Sequence, residues 1–224
     1  MQQVHEELFT SGAYVQEFRP EEPRNPFART YAAKRDAILE LVRGRHADVL
    51  DVGGGPGRMA VPLSERHRVT LCDLSRDMLA VARARDGGER LRLATADARS
   101  LPFATNSFDY VLCIDVLPHV PDPRPALAEA RRVLRPGGTL IVDSTNSVPL
   151  WTLAYPRYLG RRPSRWWGIW RSGGVLPEWS SRVWHRRRSD FLAAVRGEGF
   201  ETRQVRHFGP AGCPKWHLAV AVAP

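Results

Sequence analysis

Asp48-Val49-Leu50-Asp51-Val52-Gly53-Gly54-Gly55-Pro56-Gly57 decides the reading of this 224-residue chain. A short apolar run that breaks directly into a glycine-rich turn predicts a buried strand whose end meets a ligand through backbone N–H groups. Downstream, residues 58–66 read as a helix and Arg68-Val69-Thr70-Leu71-Cys72-Asp73 as a second strand. Upstream, Tyr31, Ile38, Leu39, Leu41 and Val42 form a helical apolar stripe ending near Gly44. The alternation continues with helix 75–85, strand 91–95, strand 109–114, helix 123–134 and strand 138–143. Strands and helices at this spacing predict a doubly wound α/β fold with a mostly parallel sheet. Ser189-Asp190 then opens a helix through Arg196. Phe200–His207 and His217–Ala223 follow as two strands joined by a turn-rich link, so an antiparallel hairpin is expected at one edge of the sheet.

The glycine turn narrows the ligand. A dinucleotide fingerprint G-x-G-x-x-G would need glycine at position 58, which is Arg58. A phosphate-binding loop of the Gly-Lys-Ser/Thr type would need a lysine after Gly57, and none is there. What stands here is D-x-G-x-G-x-G led by Asp51, with Asp73 closing the second strand 22 residues later. Asp97 follows the third strand and Asp115 the fourth. Each of these acids stands at the carboxyl end of a strand, where ligands bind in such sheets.

In this order and spacing the motifs resemble class I S-adenosylmethionine (SAM)-dependent methyltransferases of the small-molecule type. Leu101-Pro102-Phe103, Ser107-Phe108-Asp109, the run from Asp115 to Pro123 and Leu134-Arg135-Pro136-Gly137-Gly138 extend the likeness to the ubiquinone/menaquinone-biosynthesis group, over about residues 45–145. The resemblance implies a seven-stranded Rossmann-like methyltransferase sheet, with SAM as cofactor and S-adenosylhomocysteine (SAH) as product. It implies cofactor contacts from Asp51, Gly53, Gly55, Gly57, Asp73, Leu74, Met78, Asp97, Ala98 and Asp115. Asp73 would take the ribose hydroxyls, Asp97 the adenine amino group, and Asp51 would act by water or backbone positioning near the methionine moiety. A side chain at Gly53 or Gly55 would strike cofactor, while Gly57 has close helix–strand packing as its other role. Leu74 and Met78 are either an adenosine platform or simple core.

Composition places the rest. The chain carries 33 basic against 24 acidic residues, a net charge of +9. Residues 1–150 are neutral, however, whereas residues 151–188 hold nine Arg against the lone Glu178, together with six of the seven Trp. The excess is therefore a local property, expected to belong to a substrate lid. The expected organisation is an N-terminal helical cap over 1–44, a SAM-binding core over 45–147, a Trp/Arg-rich lid over 148–188, and a C-terminal helix and edge hairpin over 189–224 that completes the core. Tyr155, Tyr158, Trp166, Trp167, Trp170 and His207 are the candidate acceptor contacts, for an aromatic or lipophilic small molecule that carries an anionic group in one variant of this reading. His119, after the fourth strand, is the candidate general base, with ordering of its loop as the plainer role. Arg186-Arg187-Arg188 reads as a solvated run.

Two other functions compete. A nucleic-acid methyltransferase would draw on the basic segment, but the fourth strand does not lead into the (Asp/Asn)-Pro-Pro-(Tyr/Phe) motif of exocyclic-amine methylation, so nucleic acid is disfavoured. A non-catalytic SAM-binding protein would share the whole cofactor site. Cys72, Cys113 and Cys213 lack paired spacing, and no stretch approaches the roughly 20 apolar residues of a membrane span. A cytoplasmic monomer or homodimer without a metal, methylating oxygen in a biosynthetic pathway of secondary metabolism, is the expectation.

Overall fold

The computed structural model describes residues 28–87, 90–145, 184, 186–209 and 216–224. Helix α1 (Ala28–Leu41) leads into β1 (Asp48–Val52), the short helix α2 (Ala60–Ser64), β2 (Arg68–Asp73), α3 (Arg76–Asp86), β3 (Arg92–Thr95) and β4 (Phe108–Cys113). A 3-10 turn (Leu117–His119), α4 (Arg124–Val133) and β5 (Leu134–Thr145) follow, then α5 (Arg188–Gly197), β6 (Glu201–Phe208) and β7 (Trp216–Val222). The seven strands form one sheet in the order β3-β2-β1-β4-β5-β7-β6. The first five strands are parallel, and β7 runs antiparallel to both β5 and β6. The order reverses between β1 and β4, the place where ligands bind in open α/β sheets.

The sheet is covered on both faces, which is why its parallel strands read as continuous apolar runs. One face carries Ile38 of α1, Leu63 of α2 and Leu79 of α3 against Val49, Leu71 and Leu112. The other carries Leu127 of α4 and Phe191 of α5 against Leu50, Val111, Leu140 and Ala219. Helix α3 begins where the Ser75 side chain accepts a hydrogen bond from Met78 N–H at 3.3 Å, and it ends at Gly87 with φ +72°.

Two elements differ from the sequence expectation. The helix expected over 58–66 shrinks to Ala60–Ser64, because the glycine turn runs on through Met59 and Pro62 supplies no N–H. Strand β5 extends past the expected 138–143 in both directions. Leu134 pairs with Phe108 across an irregularity, and Ser144 and Thr145 find partners in His217 and Trp216 of β7. Alternating apolar residues do not announce that extension, since a distant strand supplies the pairing. At the amino end of the sheet, Arg135 joins Asp48 and Asp109 at 3.0 and 2.7 Å. A cavity of about 410 Å³ opens beside this latch, among Arg68, Arg92 and Phe103, at the end of the sheet away from the glycine turn.

Candidate cofactor and acceptor site

The glycine turn is built against the carboxyl end of β2. Gly53 N–H donates to the Cys72 carbonyl at 2.7 Å, and Gly55 N–H donates to Asp73 Oδ2 at 2.9 Å. The other oxygen of Asp73 accepts from Ser75 N–H at 2.9 Å, so this carboxylate ties the turn to the start of α3. Asp51 lies underneath, 1% exposed, and its Oδ2 has no hydrogen-bond partner among the described residues. Burial first, and then the charge of Asp73, push the Asp51 pKa up from 3.8 to about 7, against the pull of the Ala60 N–H. Burial likewise raises Asp73, although the N–H groups of Ser75 and Gly55 oppose it.

The glycines divide by what a side chain would meet. At Gly53, where φ is +63°, a Cβ would lie 2.4 Å from Cγ2 of Val116, so the obstacle there is the protein's own side chain before any cofactor. At Gly54, absent from the sequence candidates, a Cβ would lie 2.5 Å from Asp51 Oδ2. Gly57 approaches Val61 of α2 and Ala82 of α3, which supports its packing role, while the space beside Gly55 is open. Leu74 is 39% exposed, whereas Met78 is buried. Asp97 is gripped by Arg99, whose Nε lies 3.0 Å from each carboxylate oxygen, and this holds its pKa below the ordinary value. Ala98 sits between them on the same short turn, half-buried.

A second acidic pair lies at the ends of β4 and β5, and its partner leaves little trace in the sequence. Lys34 of α1 is fully buried, with Nζ 2.9 Å from both oxygens of Asp115 and 2.7 Å from Asp143 Oδ2. Asp115 N–H donates to Asp143 Oδ1 at 2.7 Å, and Asp115 itself sits at φ +58°. Burial alone would strip the Lys34 proton, but the two carboxylates outweigh it and hold its pKa above the ordinary value. The one available signal was rarity. The chain has 31 Arg and two Lys, and a compact ammonium fits between two carboxylates where a guanidinium fork does not.

His119 is half-buried in the 3-10 turn, and its N–H donates to the Val116 carbonyl at 2.8 Å. The segment entering α5 is laid against this turn. Arg186 donates to the carbonyls of Leu117 at 2.7 Å, of Val120, and of Pro121 at 3.0 Å, while its N–H reaches the Thr145 carbonyl at 3.2 Å. The expectation of a solvated run therefore fails at Arg186, whose guanidinium binds the carbonyls of this loop, and holds for the exposed Arg187 and Arg188. His207 and His217 face one another across β6 and β7 with Nδ1 atoms 2.8 Å apart. Tyr155, Tyr158, Trp166, Trp167 and Trp170 lie outside the described residues, as does most of 148–188 and all of 1–27.

A Rossmann-like sheet with a glycine turn and acidic strand ends at its switch point defines the fold of the class I methyltransferases. Residues 50–142 match the family model described as a methyltransferase domain, and within this stretch the chain resembles the methyltransferases of ubiquinone and menaquinone biosynthesis. The ubiquinone/menaquinone biosynthesis C-methyltransferase UbiE of Paracoccus denitrificans is 44% identical over 127 residues, 51% of this chain and 49% of that protein. The methyltransferase GfsG of Streptomyces halstedii is 41% identical over 100 residues, 42% of this chain and 36% of that one. The chain thus spans about half the length of the curated relatives it matches, or less. Among solved structures, magnesium protoporphyrin IX methyltransferase from Synechocystis with bound SAH superposes with a TM-score of 0.76 at 16% identity, covering 100% of both chains, a likeness of fold.

The cofactor such a domain implies is SAM, and the residues present fit it. Its sulfonium and ammonium groups are cationic, and the partnerless Asp51 Oδ2 sits in an acidic pair to which no described residue supplies an ion pair. When bound, SAM supplies an already activated methyl group. The protein's part is to orient, to exclude water and to hold any proton the acceptor gives up. Among the described residues, no helix is long and apolar enough to cross a membrane.

Proposed function

We propose that this chain transfers the methyl group of SAM to a small-molecule acceptor. The observation that carries the reading is the buried Asp51 and half-buried Asp73, to which no described residue brings a cation, beneath a glycine turn whose own N–H groups are spent on Cys72 and Asp73. A phosphate ligand would find negative charge there, and a sulfonium or ammonium finds its counter-charge. Asp73 serves the ribose, Leu74 offers the exposed apolar surface for the adenine ring, and Asp97 holds the adenine amino group from the next strand end.

The acceptor is an aromatic or lipophilic molecule, bounded on one side by the His119 turn and on another by the lid segment with Tyr155, Tyr158, Trp166, Trp167 and Trp170. Oxygen is the expected methyl-accepting atom, with His119 taking its proton. Carbon is the second reading, favoured by the C-methylating UbiE relative; a hydroxyaromatic ring offers both atoms once its hydroxyl proton is held. A place in natural-product biosynthesis is the expected setting. The test is incubation of the protein with methyl-labelled SAM and an extract of its source cells. Label should enter a small molecule, and the proton shift of the new methyl group separates O–CH3 from C–CH3. Label found in RNA or DNA would overturn the proposal.

A further inference from the structure

At the carboxyl end of β5, Ser144 stands directly opposite His217 of β7. Both are buried, at 0% and 3% exposure, and both Ser144 Oγ and His217 Nε2 lack any hydrogen-bond partner among the described residues. Cross-strand partners share a face of the sheet with Cβ atoms about 4.5–5.5 Å apart. That face is the one on which Val142 and Ala219 meet Phe191 of α5 and Leu117 of the His119 turn. Two orphaned polar atoms side by side destabilise the fold, and alanine or valine would satisfy the same core without them. Their position, at the ligand-bearing end of the sheet next to the turn that carries His119, gives them another purpose.

We propose that Ser144 Oγ and His217 Nε2 form the polar floor of the acceptor subsite and receive one hydroxyl group of the acceptor. The inference rests on the methyl-transfer reading and adds to it the two residues that recognise the acceptor. His207 fixes the His217 ring: with Nδ1 atoms 2.8 Å apart, one nitrogen donates and the other accepts, so each orientation of that bond sets what Nε2 presents. Burial, and then the neighbouring His207 and Arg188, hold the His217 pKa down at about 4, so the ring is neutral at physiological pH. A neutral imidazole and a serine hydroxyl offer both a donor and an acceptor and no charge. A hydroxyl matches that set in either tautomer, and a methyl ether brings no proton.

The test uses SAH-loaded protein with three probes, 2-naphthol, 2-methoxynaphthalene and 2-naphthoate, titrated by calorimetry. The wild type should bind 2-naphthol at least about tenfold more tightly than either of the others. Ser144→Ala and His217→Phe should bring the ratio near unity, while His217→Gln, which keeps a polar atom at the Nε2 position, should restore part of it. In the unsubstituted protein, the His217 Nε2 nitrogen resonance should move on adding 2-naphthol and stay fixed on adding 2-methoxynaphthalene. Equal binding of naphthol and its ether, a preference for naphthoate, or a still resonance would overturn the proposal and leave the two atoms holding a structural water. SAH binding without naphthol preference removes this inference alone, whereas failure of the wild type to bind SAH removes the methyl-transfer reading with it.

Discussion

Two acidic pairs sit at the same end of one sheet and live under opposite conditions. Asp115 and Asp143 enclose a buried lysine from α1, so their charge is answered within the protein. Among the described residues, Asp51 and Asp73 have only backbone N–H groups as partners, and one oxygen of Asp51 has none. The first pair fastens α1 to the ends of β4 and β5; the second lacks a cation among the described residues, which on the proposed reading SAM supplies. Acidity at a strand end is therefore no guide to cofactor contact by itself. What separates the two pairs is whether the protein brings its own cation.

The contrast breaks most visibly at Lys34. Lys34→Met leaves the buried Asp143 carboxylate beside the half-buried Asp115 without the ammonium between them and should cost about 3–5 kcal/mol in denaturant unfolding. Lys34→Met combined with Asp143→Asn should recover a large part of that loss; if the double variant is no better than the single, the ammonium is not the counter-charge. Asp73→Ala should weaken SAH binding about 10- to 100-fold by calorimetry, as the loss of a hydrogen bond to a charged group does. Unchanged affinity would remove Asp73 from the ribose.

Asp51 gives a subtler readout. Its folded pKa of about 7 lies above the ordinary 3.8, so its contribution to stability is present below about pH 4 and is lost as pH rises through 7. A bound cation favours the ionised form. SAH or SAM binding near pH 6 should therefore release protons, seen as a dependence of the calorimetric enthalpy on buffer ionisation. Asp51→Asn should abolish the release and stabilise the unliganded protein above pH 7. The smallest effect is expected at Arg186→Ala, about 1–3 kcal/mol for three loop carbonyls returned to water, with SAH affinity unmoved.

Legibility followed the same division. Asp51, the glycine turn and Asp73 belong to one strand–turn–helix–strand unit of consecutive residues, so local pattern places them at the switch point. The Lys34–Asp115–Asp143 cluster joins residues 81 and 109 positions apart, and the Ser144–His217 pairing depends on the strand order β5-β7-β6. Neither leaves a local trace. Arg186 departs from expectation for a related reason, since a run of three arginines looks solvated until the carbonyls of Leu117, Val120 and Pro121 are known to lie beneath it. Gly54 carries no signal in a motif of alternate glycines, because its constraint comes from the Asp51 carboxylate below.

The placement of β7 between β5 and β6 has a consequence for how the molecule is made. A ribosome delivers β5 and then β6 before β7 exists, so the long, apolar edge of β5 stays open while its proper neighbour is still unsynthesised. Nascent β6 can either wait or pair out of turn, and an open edge of this kind invites pairing with other chains. Trp216 and His217 enter the sheet in that last step, so the wall beside Ser144 is completed only when the seventh strand closes the gap. Slowed translation just before residue 216 should therefore raise the aggregated fraction more than the same pause placed before β6.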